Sequence, residues 1–442
     1  MTRIRLALGL AVLVLLALWL ATSPFAGLPV TVFAWREPFL QGTGLLAIGL
    51  MSVAMILATR PVVFEPVLGG LDKMYRLHKW LGITALVLAV AHWLWVEAPK
   101  WLVGLGWLSR PARTPAELPA NPVLRELHAL RGPAERVGEW AFYALLLLLG
   151  LALVKRVPYR RFFQLHRLLP LVYGVLVFHS VVLLNASSWP QPLGVVMALL
   201  MGAGTVAALI VLFGAVGRGR QAVAMVEKVA LHADLDVLEV AARLQGRWPG
   251  HRAGQFAFLR FDASEGAHPF TIVSPWVDDG RLAFLIKGLG DYTRALPALI
   301  KPGDLLRVEG PYGRFSFDGL QPRQIWVGGG IGITPFIARL QQLALHPDGK
   351  TIDLFHTTTM VDEAAFARLR RAAGAAQVQL HLMVDAVDGR LTAERLCAAV
   401  ADWRRADVWF CGPAAFGNAL RRDLLARGLP GSDFHQELFE MR

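Results

Sequence analysis

Residues 77–92 read LHKWLGITALVLAVAH, and residues 165–179 read LHRLLPLVYGVLVFH. Both stretches are apolar between their ends and belong to apolar runs, 77–96 and 165–184, long enough to cross a hydrocarbon core of about 30 Å as helices. Each carries a histidine near its start and another at its end: His78 and His92 in one, His166 and His179 in the other. A histidine inside a membrane helix is costly unless it serves a function. The first two are 14 residues apart and the second two 13. At about 1.5 Å per residue, that is roughly 20 Å along each axis. Each helix therefore offers one imidazole near one membrane face and one near the other.

Both helices enter from the same side, so His78 is expected to face His166, and His92 to face His179. Two His–His pairs at two depths suit two b-type haems, each iron held from both sides. The angular test divides them. A step of 14 residues at about 100° each leaves −40°, which keeps His78 and His92 on one face. A step of 13 leaves about −140°, which points His166 and His179 apart on an ideal helix. Pro170 lies between them, and proline disturbs the helical ladder. A kink or bulge there is expected to correct the phase. Interhelical hydrogen bonding would account for one such histidine, but less well for four in two matched pairs. A di-metal site would need Glu-x-x-His pairs, which are absent. His128 reads as an ordinary surface residue.

Outward from these two helices, further apolar runs cover residues 6–22, 39–59, 137–154 and 193–216. With 77–96 and 165–184 they make six candidate spans. The first is long for a signal peptide and is followed by more spans, so it reads as a retained helix. Arg3 and Arg5 precede it; Arg60, Lys73, Arg76 and Lys79 surround the second loop; Lys155, Arg156, Arg160, Arg161 and Arg167 crowd the fourth; Arg218 and Arg220 follow the last span. All fall on one side of a six-helix alternation. The positive-inside rule makes that side cytoplasmic, and with it everything after residue 217. The Pro-rich segment 97–136 is then external, with helix expected near 124–130. Arg36, between the first two spans, shapes the external site or anchors the interface.

The chain has 442 residues, 55% of them apolar, and a net charge of +12. The basic excess flanks apolar helices, which argues against a nucleic-acid binder. Cys397 and Cys411 are the only cysteines, so no disulfide framework is expected.

After Gly219 the pattern changes. Alternating runs at 223–229, 237–240, 256–261 and 282–287 read as strands of a small antiparallel barrel ending near 320. Beyond 324, strands alternate with helical stretches, the layout of a nucleotide-binding α/β domain with a parallel sheet. His268-Pro269-Phe270-Thr271 leads to Ser274. Lys287-Gly288-Leu289-Gly290-Asp291-Tyr292-Thr293 suits a phosphate-binding turn. Gly310-Pro311-Tyr312-Gly313 reads as a tight turn. Gly328-Gly329-Gly330-Ile331-Gly332-Ile333-Thr334-Pro335 follows an apolar strand, where glycines let a pyrophosphate approach a helix N-terminus. Thr334 could cap that helix, and Pro335 fits its first turn. Cys411-Gly412-Pro413 ends a later strand, at the sheet edge where ligands bind. Singly these are connectors; in this order they are far more specific.

In these motifs the whole chain resembles the ferric reductase and NADPH oxidase superfamily. The resemblance implies a six-helix ferric-reductase-like transmembrane domain over 1–217 holding two haems b, an FAD-binding β-barrel over 218–320 and an NAD(P)H-binding α/β domain over 321–442 of the ferredoxin–NADP reductase kind. By it, His268, Pro269, Phe270 and Thr271 match the flavin motif. Ser274, Lys287, Gly288 and Thr293 would help hold FAD or pyrophosphate. Gly328, Gly329, Gly330, Gly332, Thr334 and Pro335, with Cys411, Gly412 and Pro413, would line the NAD(P)H site. Cys411 would lie close to the nicotinamide, and Phe439 would stack on the flavin. One departure is that His356-Thr357-Thr358-Thr359-Met360-Val361-Asp362 lacks the nearby arginine expected to grip a 2′-phosphate, so NADH is as plausible a donor as NADPH.

The expected activity carries electrons from cytoplasmic NAD(P)H through FAD and two haems to an external acceptor across the plasma membrane of a bacterium. Dioxygen, giving superoxide, is preferred over a ferric chelate or an extracytoplasmic protein. No obligatory protein partner is evident. A nucleotide-regulated transporter is the alternative of another class, and the broken helices such transporters use are not apparent.

Overall fold

A computed structural model describes residues 2–22, 25, 27–109, 121–154, 156–262 and 266–437. The described residues form two compact units, one within 2–68 and 73–216, the other within 69–72 and 217–437.

The first unit is helical. Its main helices are α1 (Thr2–Thr22), α2 (Val32–Ala58), α3 (Leu71–Gly104), α4 (Pro122–Ala129), α5 (Arg131–Leu153), α6 (Tyr159–His166), α7 (Leu169–Leu183) and α8 (Pro192–Leu212). Six helical stretches among the described residues are long and apolar enough to cross a membrane, with α6 and α7 forming one of them. The helices outrun their apolar runs. α3 begins six residues before Leu77 and continues through Pro99, because polar ends can extend a helix into the interface while long side chains reach water.

The fifth span is broken where a kink was expected. α6 ends at His166 and α7 starts at Leu169. Leu168 N donates to Leu165 O and Leu171 N to Leu168 O, both at 3.0 Å. These are i→i+3 bonds, which turn the chain by about 120° per residue where an α-helix turns about 100°. Proline has no N–H, and its ring would strike the carbonyl four residues back, here that of His166. Pro170 therefore sits in the first turn of α7, where its missing donor costs nothing.

The second unit holds two sheets. Strands β1 (Gln221–His232), β2 (Val237–Gln245), β3 (Phe256–Arg260), β4 (His268–Thr271), β5 (Arg281–Lys287) and β6 (Leu305–Tyr312) are ordered β4-β3-β6-β1-β2-β5. A bridge from Ile272 to Phe284 brings the chain after β4 back to β5, curling the sheet around Val240, Phe284, Leu306 and Val308. Leu296 of α9 (Asp291–Leu299) joins that core. The motif Gly310-Pro311-Tyr312-Gly313 is not the tight turn its composition suggests. Its first three residues continue β6, and the pairing with β3 absorbs an irregularity between Phe256 and Phe258.

The second sheet is parallel, ordered β11-β10-β7-β8-β9. Its strands are β7 (Arg323–Gly329), β8 (Thr351–Thr358), β9 (Gln379–Val384), β10 (Ala406–Cys411) and β11 (Phe434–Gln436), the last not anticipated from sequence. Helices α10 (Thr334–Leu345), α11 (Glu363–Ala375), α12 (Ala393–Ala399) and α13 (Ala414–Ala426) alternate with them. One core gathers around Trp326, Phe336 and Trp409, another around Val327, Phe410 and Leu420. From β7 the chain moves to β8 on one side, while β10 lies on the other. That reversal leaves a crevice at the carboxyl ends of β7 and β10.

Candidate functional site

In the helical unit the four histidines meet in two pairs. The ring centres of His78 and His166 are 6.0 Å apart, and those of His92 and His179 6.3 Å. Three of the rings are anchored from behind. Nδ1 of His78 donates to Ala54 O at 2.9 Å, Nδ1 of His92 to Leu40 O at 3.0 Å and Nδ1 of His179 to Ala134 O at 2.9 Å. Such bonds fix the tautomer and leave Nε2 as the metal-binding nitrogen. With imidazole–metal bonds near 2.0 Å, two rings sharing one metal have centres roughly 6 Å apart. Both pairs meet that distance. Among the described residues no three His, Cys, Asp or Glu side chains converge on a metal position. An ion here would have two protein ligands, so a macrocycle filling the other positions suits the donor set.

Two glycines make room for the second pair. A Cβ on Gly44 of α2 would stand 3.1 Å from His92 Cε1, and one on Gly138 of α5 would overlap the His179 ring. Neither glycine is evident from sequence, because neither shares a motif with a histidine.

In the second unit the structure joins the two C-terminal-edge loops. Cys411 is in register with Gly328. A Cβ on Gly332 would run into the Cys411 carbonyl, and one on Gly329 would lie 3.0 Å from Pro413 Cδ. Only bare backbone lets the turn after β7 nest against the turn after β10. Gly330 takes φ +57°, a left-handed conformation that favours glycine. Thr334 and Pro335 are buried in the first turn of α10. Cys411 is fully buried; burial, and then Glu437, holds its thiol well above the usual range. It is a neutral, polarisable wall and not a thiolate.

A cavity of about 370 Å³ opens between the barrel and the parallel sheet, with Ser274, Lys287, Gly330, His356, Thr358 and Arg368 on its walls. Among the described residues Lys287 and Arg368 make no ion pair, whereas Glu239, also on the wall, is matched by Lys228 at 3.0 Å and His232 at 3.1 Å. The unmatched charge is positive, which suits phosphate-bearing ligands. His356 gives Nδ1–H to Gly328 O at 3.1 Å; burial lowers its pKa, so its other nitrogen is an acceptor. His356, Met360 and Arg368 were not picked out as site residues from sequence, since only the packing of α11 brings the last of them here.

Other expected residues lie apart from that cavity. His268, Pro269, Phe270 and Thr271 form β4 against β3, and His268 stacks on Tyr292 with ring centres 4.4 Å apart. Burial lowers the His268 pKa, so the ring is neutral. Thr293 caps α9, its Oγ1 accepting from Gly290 N at 3.0 Å. Gly288 N donates to Asp236 O at 2.9 Å, and the Asp236 carboxylate leaves no room for a Cβ. Phe439 lies outside the described residues.

Comparison with known proteins agrees with both halves. Residues 43–177 match the ferric reductase like transmembrane component family, and residues 222–317 match the oxidoreductase FAD-binding domain family. Together these two domains match the ferric reductase and NADPH oxidase-like superfamily. The chain is thus an integral membrane protein with several apolar helices, fused to a ferredoxin–NADP reductase-like module. It is 28% identical over 204 residues to a flavohemoprotein of Xylella fastidiosa, covering 43% of this chain and 51% of that protein. It is 40% identical over 88 residues to the mitochondrial ferric reduction oxidase 8 of Arabidopsis thaliana, covering 17% of this chain and 12% of that one. A solved flavohemoglobin from Malassezia yamatoensis, with bound FAD and heme, aligns over 94% of this chain and 100% of its own at 17% identity and a TM-score of 0.48. The chain spans about half the length of the curated relatives it matches first.

Proposed function

We propose that the chain is a transmembrane oxidoreductase that moves electrons from NAD(P)H on the basic side of the membrane to an acceptor on the far side, with dioxygen the preferred acceptor. The overall balance is NAD(P)H plus two dioxygen giving NAD(P)⁺, a proton and two superoxide. FAD would supply the conversion of a two-electron hydride donor into single electrons, and haem b a one-electron carrier at each imidazole pair. The observation that carries this reading is the two imidazole pairs, each at metal-sharing distance, in the same chain as an FAD-binding barrel.

His78 with His166, and His92 with His179, would hold the two irons. With two protein nitrogens committed to each haem, the group would supply outer-sphere electron transfer and not direct binding of the acceptor. His268, Pro269, Phe270 and Thr271 would hold the flavin, and Ser274, Lys287, Gly288 and Thr293 its chain or the pyrophosphates. Gly328, Gly329, Gly330, Gly332, Thr334 and Pro335 would seat the dinucleotide, with Cys411, Gly412 and Pro413 closing the crevice behind it. The buried Cys411 thiol would exclude water there and keep its proton.

Ferric-chelate reduction is the second reading, favoured by the family match over residues 43–177. Turnover of the purified protein with dioxygen and with ferric citrate, with and without superoxide dismutase, separates the two. Dismutase-sensitive turnover supports the first; dismutase-insensitive iron reduction supports the second. A protein showing neither flavin nor a b-type spectrum would end both.

A further inference from the structure

The motif Gly310-Pro311-Tyr312-Gly313 ends β6, and the function proposed above gives it no part. What it touches is the chain arriving from the last span. Backbone bonds of that span run on past α8 to Ala215, whose N donates to Ile210 O at 2.8 Å. Those of the barrel begin at Gly217, whose O accepts from Arg220 N at 2.9 Å. Gly217 takes φ +70°, a left-handed conformation that favours glycine. A Cβ there would run into the Glu309 carboxylate.

Glu309 is buried in β6, 5% exposed. A carboxylate so placed is costly unless its oxygens are hydrogen-bonded. Here they join two segments. Tyr312 Oη donates to Oε1 at 2.8 Å, and Gln221 Nε2, from the first residue of β1, donates to Oε2 at 3.3 Å. Arg220 adds a third tie. Its Nη2 donates to Pro311 O at 3.1 Å, and its guanidinium lies over the Tyr312 ring, 5.5 Å from the centre. Tyr312 pairs with Phe256 of β3, and Phe256 pairs with Thr271 of β4. The residues that lead from the last span into the barrel are thus fastened two strands from His268-Pro269-Phe270-Thr271.

We infer that Glu309, Tyr312 and Arg220 are positioning residues that clamp this connection to the FAD-binding sheet and so set how fast electrons pass from the flavin to the imidazole pairs. This rests on the electron route proposed above. Small misplacements of reacting groups cost rate steeply, and on that route electrons leave a group held on one side of the connection for groups held on the other.

Anaerobic stopped-flow mixing of the purified full-length protein with NAD(P)H tests this, with flavin bleaching and the rise of the reduced α-band read together. Gly217→Ala should slow the α-band rise by about tenfold or more, on the scale that a misplacement of about 1 Å costs, and Tyr312→Phe should slow it less. In both, flavin content, bleaching rate and ferricyanide turnover should hold, and dithionite should still develop the full α-band. Gly219→Ala should behave as the wild type, because a Cβ there meets nothing within 4 Å among the described residues. An unchanged α-band rise in both clamp variants, an equal slowing in Gly219→Ala, or a matching fall in bleaching rate would overturn the inference. A wild-type protein that carries flavin and haem but whose α-band does not respond to NAD(P)H would instead overturn the electron route itself.

Discussion

Gly138 shows how much one missing methyl can decide. Its backbone lies against the His179 ring, and a Cβ would occupy the same space. Because Ala134 O, one turn earlier on the same helix, holds His179 Nδ1, the ring cannot simply turn aside. If each imidazole pair holds a haem as proposed, Gly138→Ala should cost the one at His92 and His179, cutting haemochrome content by about half, while flavin content stays. Gly150 on the same helix has nothing within 4 Å of a Cβ, and alanine is the better helix former by about 1 kcal/mol. Gly150→Ala should keep full haem content; an equal loss in both variants would show that helix chemistry, and not contact with His179, is responsible.

The buried histidines of the second unit should weaken it in acid. Burial lowers the pKa of His251, His268 and His356. The unfolded chain then binds more protons than the folded one below the ordinary histidine value of about 6.5, so stability falls as pH drops through that range toward the folded pKa values. Melting of the flavin-bound unit, followed by flavin fluorescence, is expected to shift down between pH 7 and 5. His251→Gln should flatten part of that slope. An unchanged slope would mean that this ring does not contribute.

At the scale of elements, helix α11 supplies what the loop before it lacks. Residues 356–362 contain no arginine, and a strand-end reading alone leaves NADH and NADPH equal. The packing of α11 puts Arg368 on the cavity wall with Thr358 and Met360, without an ion pair among the described residues. We propose that it receives the 2′-phosphate of NADPH. Hydrogen bonds to charged groups contribute about 1.5–3 kcal/mol, so Arg368→Ala should raise KM for NADPH roughly tenfold to a hundredfold. KM for NADH should hardly move; equal effects on both would remove Arg368 from the 2′-phosphate site.

The same scale separates what the sequence discloses from what it hides. The six spans show as apolar length, and the imidazole pairs as spacing along two helices that start on one side. The break before Pro170 follows from the phase mismatch of a 13-residue step together with a proline. The alternation of strands and helices after residue 324 implies the parallel sheet. Contacts between distant segments leave no such mark. Gly44 and Gly138 are two among 42 glycines until the register of their helices against α3 and α7 is known. The strand 434–436 is too short to show a period, and Gly310–Tyr312 has the composition of a turn while continuing β6.

At the scale of the whole molecule, the proposed reading divides the work between the two units. Each has its own core, so damage to an imidazole pair should stay within the helical unit. His92→Leu should leave the second unit able to reduce ferricyanide with NAD(P)H, because that acceptor takes electrons at the flavin. The same variant should lose dismutase-sensitive turnover, since the far pair is then incomplete. Both assays belong on one preparation, with ferricyanide supplied on the basic side of oriented proteoliposomes and superoxide read on the other. Loss of both activities with normal flavin content would mean that the units depend on each other for more than the passage of electrons. Retention of superoxide output on the far side would mean that electrons reach dioxygen without the His92–His179 pair.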